Sequence, residues 1–388
     1  MDFALSPEQE AIRAAVAAIC AGFDDAYWLK KDKEGGFPHD FHRALAEAGW
    51  LGICIPEEYG GAGLGITEAA LLMEAIAASG AGMSGATAVH LNIFGLHPVV
   101  VHGTPEQKAR MLPPIARGEV KACFGVTEPT TGLDTTRLKC RAERQGDRYL
   151  VNGQKVWISS AQVADNILLL ARTTPIEQCA NPADGISLFY TKLDRAHASI
   201  REIDKAGRKA VDSNEIFFED MPIPVEDRIG EEGRGFRYIL HGLNPERILI
   251  AAEAVGIGRV ALRRATDYAR DRVVFGRPIG QNQAIQHPLA QDWMALEAAW
   301  LMVLQAAWKY DSKQDSGAAA NAAKYLAAEA AMKACQNAVM THGGFGYAKE
   351  YHVERFLREA MIPWIAPVSP NLICCYIAER VLGLPKSY

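Results

Sequence analysis

The fold turns on one stretch, Tyr149-Leu150-Val151-Asn152-Gly153-Gln154-Lys155-Val156-Trp157-Ile158-Ser159. Tyr149 to Val151 and Val156 to Ser159 are β-prone runs, and Asn152-Gly153 between them is a turn signal that breaks one from the other. Working outward, further β-prone runs lie at Cys123 to Glu128, Leu138 to Glu143, Asn166 to Ala171, Ile186 to Thr191 and Glu215 to Phe218, with Gly146 and Asp184-Gly185 as breaks. Short strands at this spacing predict a compact antiparallel β domain. Both flanks change period. Upstream, Ser6-Pro7-Glu8-Gln9 is a capped helix start, followed by Ile12, Val16, Ile19 and Phe23 at helical spacing. A second helix runs through Phe41, Leu45 and Ala48 to Gly49, another starts near Thr67, and helix continues to about Arg117. Downstream of about Gly233 come long Ala-, Leu- and Glu-rich helices, the first beginning at Asn244-Pro245. The order is α, β, α.

Composition agrees with a folded protein. Of 388 residues 49% are apolar and 22% charged, and the net charge is −5. A chain this long is expected to form two or three domains of about 150 residues each. Scattered Lys and Arg leave no basic footprint for nucleic acid and no polybasic membrane patch. No run approaches the roughly 18 apolar residues of a membrane span, and Met1 to Glu10 lacks the basic start and apolar stretch of a signal peptide. A cytoplasmic protein is expected. The eight cysteines are dispersed without metal spacing and read as reduced thiols.

Several motifs have plain structural readings. Gly256-Ile-Gly258-Arg-Val-Ala261 spells a dinucleotide fingerprint, but no strand precedes it, so close helix packing is the better account. His39 and His42 could share a helix face, yet no third ligand is spaced to join them, and no metal is predicted. No G-x-S-x-G and no nucleophilic Cys signature occurs. Thr127 to Asp134 and Gly153 to Ser159 place hydroxyls and a Trp on adjacent segments, which could be turns and core or a wall for a planar ring. Arg272 and Arg277 flank a helix-boundary turn and are either solvated charges or partners for phosphate.

Eight motifs in register decide between these readings: Asp2 to Gln9, Tyr59-Gly-Gly-Ala-Gly63, Thr127-Glu-Pro, Gly153-x-Lys-x-Trp157-Ile-Ser159, Arg272-x-x-Phe275-Gly, Gln283-x-x-Gln286, His342-Gly-Gly-Phe-Gly-Tyr347 and Glu350-Tyr-x-Val-Glu-Arg355. In this order the whole chain resembles the acyl-CoA dehydrogenases. The resemblance implies an α+β multidomain fold: a helical N-terminal domain over 1–120, a middle antiparallel β domain over 121–231, and a C-terminal four-helix bundle over 232–388. It also implies a homotetramer that holds FAD between domains and subunits, an acyl-CoA substrate, and an electron-transfer flavoprotein as acceptor. On that template Phe124, Val126 and Thr127 line the flavin, Trp157 flanks the isoalloxazine and Ser159 bonds near N5. Arg272, Phe275 and Gln283 reach the neighbouring subunit's FAD, Gly343 and Gly344 admit its adenosine portion, and Ser369 and Asn371 complete the FAD contacts.

Three positions depart from the pattern: Leu133 where Ser is frequent, Met340 where Gln is frequent, and Pro367 where many members carry their catalytic Glu. The reaction needs a base for the α proton, and proline cannot accept one. A subset of the family resembling the isovaleryl and long-chain enzymes places its base before an Arg in a Leu-x-x-Glu-Arg segment. Here that segment is Leu243-Asn244-Pro245-Glu246-Arg247, which makes Glu246 the expected base and Arg247 a substrate-binding residue. Taken alone, Glu246 also reads as a first-turn acid that complements a helix dipole. Pro367 would remove a backbone N–H from the thioester carbonyl if the family donor is that residue's own amide. Two alternatives therefore stand beside the dehydrogenase: a same-fold oxidase, monooxygenase or desulfinase, and a non-catalytic acyl-CoA-binding subunit.

Overall fold

The computed structural model describes residues 4–387, so Asp2 and Phe3 of the first motif lie outside it. Seven helices come first: α1 (Pro7–Cys20), α2 (Asp25–Glu34), α3 (His39–Glu47), α4 (Ile66–Ile76), α5 (Gly82–Phe94), α6 (His97–His102) and α7 (Pro105–Ala116). α1 starts in a full capping box, with the Ser6 hydroxyl accepting from the Gln9 amide and the Gln9 side chain accepting from the Ser6 amide. Thr104 and Gln107 repeat the device at α7. α2 is missing from the sequence reading because it buries only Trp28 and Asp32, too few positions to set a period. Between α4 and α5 the chain kinks at Gly80, with φ +110°. The kink is held from far along the chain. Glu359 accepts from the amides of Met83 (2.7 Å) and Ser84 (3.2 Å), and Arg355 donates to the Gly80 carbonyl at 2.6 Å.

The middle sheet has strands β1 (Ala122–Gly125), β2 (Arg141–Gln145), β3 (Arg148–Ser159), β4 (Asn166–Arg172), β5 (Ile186–Lys192), β6 (Ala198–Glu202), β7 (Ser213–Pro224) and β8 (Arg228–Ile229). Its order is β6-β7-β3-β2-β4-β5-β8, with β1 beside β4. Most pairs are antiparallel, and β4 pairs parallel with both β1 and β2. Tyr149 to Ser159 corrects the turn expected at Asn152-Gly153: it is one strand whose register against β7 shifts twice. At the first shift Gly153 has φ +144°, and a Cβ there would lie 2.7 Å from the Cys140 Cα, so the glycine serves close approach within a strand. The second shift lies between Lys155 and Ile158 and leaves Trp157 at φ +63° and 59% exposed.

The C-terminal helices are α8 (Gly235–Asp271), α9 (Gln283–Asp311), α10 (Gly317–His342), α11 (Val353–Ile365) and α12 (Pro370–Arg380). α8 begins nine residues before the expected Asn244-Pro245 start, so Pro245 lies inside it and Glu246 is not in its first turn. A proline there leaves the carbonyl of His241 without its helical donor. The Tyr310 hydroxyl of α9 donates to that carbonyl at 3.1 Å, which is how the helix continues. Gly256 and Gly258 do serve packing: a Cβ on them would meet the Glu74 carbonyl at 2.5 Å and Leu296 at 2.6 Å. One apolar core joins N- and C-terminal helices, with Leu72 and Ile76 among Ile248, Val255 and Ala331. Two stretches reach the length and hydropathy of a membrane-crossing helix, contrary to the sequence reading. Ile66–His102 is core, kinked at Gly80, and Val353–Arg380 is broken between α11 and α12.

Candidate active site

Glu246 follows Pro245 on α8, its carboxylate accepting no hydrogen bond from a described residue and keeping a partial opening to solvent. Desolvation by the surrounding protein pushes its pKa up to about 7, helped by the Glu253 charge; His90, Arg247 and Lys324 pull the other way. Because α8 starts at Gly235, the helix N-terminus does not act on this group. Arg247 donates to the Asn244 side chain at 3.0 Å, and its buried Nε has no partner among the described residues. Buried Lys324 of α10 donates to the carbonyls of Val368 (2.7 Å) and Trp364 (3.4 Å), and burial lowers its pKa to about 8. Lys324 therefore connects Glu246 electrostatically with the segment around Pro367, which follows a cis peptide bond.

Seven residues beyond Glu246 on the same face of α8, Glu253 is fully buried and bonds Nδ1 of His90 on α5. Its second oxygen has no partner among the described residues. The His90 ring packs edge-on to Phe94 (centroids 4.6 Å apart), and Phe94 packs on Phe124 of β1 (5.2 Å). This aromatic chain leads from the carboxylates to the predicted flavin wall.

That wall is assembled by one buried lysine. Lys155 Nζ donates to the Val126 carbonyl (3.0 Å) and to Glu128 (2.8 Å), while Glu128 also accepts from the amides of Lys139 and Cys140. The Val156 amide donates to the Thr127 carbonyl at 3.0 Å. Phe124, Val126 and Thr127 are thus fixed beside the strand end that carries Trp157 and Ser159. Trp157 and Ser160 both hold left-handed backbone, a conformation that costs non-glycine residues on the order of 1–3 kcal/mol and clusters at functional sites. Ser159 is half-buried, and its hydroxyl accepts from Arg208 at 3.2 Å.

A second group forms where α8 turns into α9. Phe275 is fully exposed at φ +54°, Gln283 opens α9, and the Arg272 guanidinium lies 5.7 Å over the Phe345 ring. Phe345 belongs to the turn of Gly343 and Gly344, where a Cβ would have nothing within 4 Å. Ser369 caps α12 by accepting from the Leu372 amide at 3.3 Å, and Asn371 is exposed; no described hydrogen bond joins them to either group. Leu133 and Met340, two of the departures, are exposed at 53% and 76%. A bare Trp157 face, a bare Phe275, an Arg272 without an ion pair among the described residues, and open backbone at Gly343-Gly344 fit a planar group that carries a diphosphate.

Sequence reasoning missed His90, Glu253, Lys324 and Arg208, which stand outside every motif. A His, Glu or Lys in an otherwise apolar helical run was the available signal for the first three.

Family models described as "Acyl-CoA dehydrogenase, N-terminal domain", "middle domain" and "C-terminal domain" match residues 6–119, 123–221 and 233–382. The chain is similar to "Acyl-CoA dehydrogenase FadE12" of Mycobacterium tuberculosis, at 37% identity over all of this chain and 99% of that protein. Among solved structures it is similar to a glutaryl-coenzyme A dehydrogenase in complex with glutaryl-CoA, with TM-score 0.94, 31% identity, and coverage of 100% of this chain and 98% of that one. Butyryl-CoA dehydrogenase from Megasphaera elsdenii is similar at TM-score 0.93 and 29% identity, covering 98% of this chain and all of that one.

Proposed function

The chain belongs to the acyl-CoA dehydrogenase family, and on that premise we propose that it oxidises an acyl-CoA thioester to the 2-enoyl-CoA with Glu246 as the base. It is an FAD-dependent oxidoreductase acting on acyl-CoA. One observation carries the assignment of the base: a carboxylate without a hydrogen-bond partner, part open to solvent, with its pKa pushed up to about 7.

A base works best when its pKa lies near the operating pH, and at pH 7 about half of Glu246 is ionised. Arg247, Lys324 and His90 favour the ionised form that takes the α proton. Once protonated, the neutral acid suits its desolvated position. FAD, when bound, accepts the hydrogen and electron pair that leave Cβ. Phe124, Val126, Thr127 and Trp157 wall that acceptor, and Ser159 offers it a hydroxyl. Arg272, Phe275, Gln283, Gly343, Gly344, Ser369 and Asn371 are assigned to FAD, and Arg247 to the substrate. A homotetramer brings the α8–α9 turn of one subunit to its neighbour's FAD, and an electron-transfer flavoprotein takes the electrons onward.

Pro367 has no N–H to polarise the thioester oxygen. The amides of Val368 and Ser369 make no hydrogen bond to a described residue and are the donors left on this segment. Pro367 also favours a second reading, a same-fold oxidase, whose sign is substrate-dependent oxygen uptake with no added acceptor.

The test is anaerobic flavin bleaching by straight, branched and ring-bearing acyl-CoAs, in wild type and Glu246→Gln. We expect bleaching by at least one thioester in wild type, and a yellow, folded variant that bleaches more than a thousandfold more slowly. A variant that bleaches at the wild-type rate removes Glu246 from the mechanism.

A further inference from the structure

Arg208 ties α5 to the end of the β3–β7 ladder, where Ser159 and Ser213 are register partners. Its Nη1 donates to the Thr87 hydroxyl of α5 (3.2 Å), and its Nη2 donates to the hydroxyls of Ser159 at the end of β3 (3.2 Å) and Ser213 at the start of β7 (3.3 Å). The side chain is buried, Nε has no partner among the described residues, and no described carboxylate lies within ion-pair distance. Its backbone holds φ +59°, the third left-handed non-glycine residue at this spot beside Trp157 and Ser160. Glu253, Glu359 and Asp212 act on it only at longer range, and burial pulls its pKa down.

A buried guanidinium bound to neutral hydroxyls alone is an expensive arrangement for mere packing. Its effect on Ser159 is specific. A hydroxyl has one proton and two lone pairs, so Ser159, which accepts from Arg208, keeps its proton for a partner on the other side. Among the described residues nothing takes that proton. The charge behind the donor also sits in a site of low dielectric, where it is felt more strongly than in water.

We propose that Arg208 is a positioning residue for the flavin, holding the Ser159 proton toward the isoalloxazine and placing positive charge behind it so that the reduced ring is favoured. The inference rests on the reading that FAD lies against Ser159. The electron count is that of the dehydrogenation itself: the substrate loses a proton from Cα to Glu246 and a hydrogen with two electrons from Cβ to the flavin. The reduced ring thereby gains one negative charge, and Arg208 acts on that charge.

The experiment is an equilibrium redox titration of the FAD-loaded enzyme against a reference dye, without substrate, together with the visible flavin spectrum. Arg208→Met should lower the reduced-to-oxidised ratio at fixed potential by tenfold or more, about 30 mV for a two-electron couple. Arg208→Lys should restore more than half of that shift. Ser159→Ala should lower the ratio by itself and make the further effect of Arg208→Met smaller. An FAD-loaded Arg208→Met enzyme whose ratio stays within twofold of wild type overturns the proposal. If that variant does not fold, Ser159→Ala decides, and an unchanged ratio and spectrum there overturn it equally. Wild-type protein that retains no flavin would instead sink the placement of FAD, before Arg208 is in question.

Discussion

As the proposed base, Glu246 has to be ionised to accept a proton, which fixes the sign of its expected pH effect on rate. With its pKa at about 7, kcat/KM should fall roughly tenfold per pH unit well below that value and level off above it. Stopped-flow flavin reduction across pH 5 to 9 measures this, and an acid limb centred near 4.5 would show the carboxylate to be ordinary. The same group weakens the fold at high pH. Its folded pKa lies above the unfolded value, so the native state binds the extra proton, and stability is lost as pH rises from about 4.5 through 7. At about 1.4 kcal/mol per pKa unit, less a discount for its opening to water, the ionised side chain costs on the order of 2 kcal/mol. Glu246→Gln should therefore melt above wild type at pH 8, with the difference closing near pH 4.5. The Leu-x-x-Glu-Arg segment is what singles Glu246 out in the sequence, whereas the surroundings that raise its pKa were not legible there. His90, Glu253 and Lys324 act on it from other turns and other helices, and sequence spacing holds no record of distance in space.

At the scale of elements, the instructive case is the proline within α8. Asn244-Pro245 reads as a helix start because in most helices that pair is one. The helix runs through it because Tyr310, sixty-odd residues on, supplies the missing donor. Tyr310→Phe leaves the His241 carbonyl without that bond and should cost about 1–3 kcal/mol in denaturant unfolding. His97, whose Nε2 lies 2.6 Å from the same hydroxyl, would lose its partner as well. Gly256→Ala should cost about 1–3 kcal/mol through overpacking against α4, since its new methyl would sit 2.5 Å from the Glu74 carbonyl. Strand β3 teaches the same lesson in the other direction. Asn152-Gly153 carries the composition of a hairpin turn, but the pairing of both halves with β7 turns it into a bulge. Long-range pairing overrides local turn chemistry, and that pairing also exposes Trp157.

For the whole molecule, the α, β, α order was readable because periods of 3.6 and 2 leave different marks on the chain. The shared core of the first and last helical segments was not, since nothing local says that α4 and α8 meet. α9 presents a stripe of Trp293, Leu301 and Trp308, each about half exposed, at spacings of eight and seven residues. A stripe of this kind needs a cover, and a neighbouring subunit is the one proposed above. On the proposed assembly, Trp293→Asp should shift the protein to smaller species in light scattering and release FAD, since the α8–α9 turn is there assigned to the neighbour's cofactor. A variant of unchanged size in solution would place the subunit contact elsewhere.

Trp308 and Tyr310 are two residues apart on α9, the first facing outward and the second propping the carbonyl that Pro245 leaves bare. A distortion of α9 at Trp308 would therefore lie two residues from the hydroxyl that props the turn of α8 carrying Glu246, the proposed base.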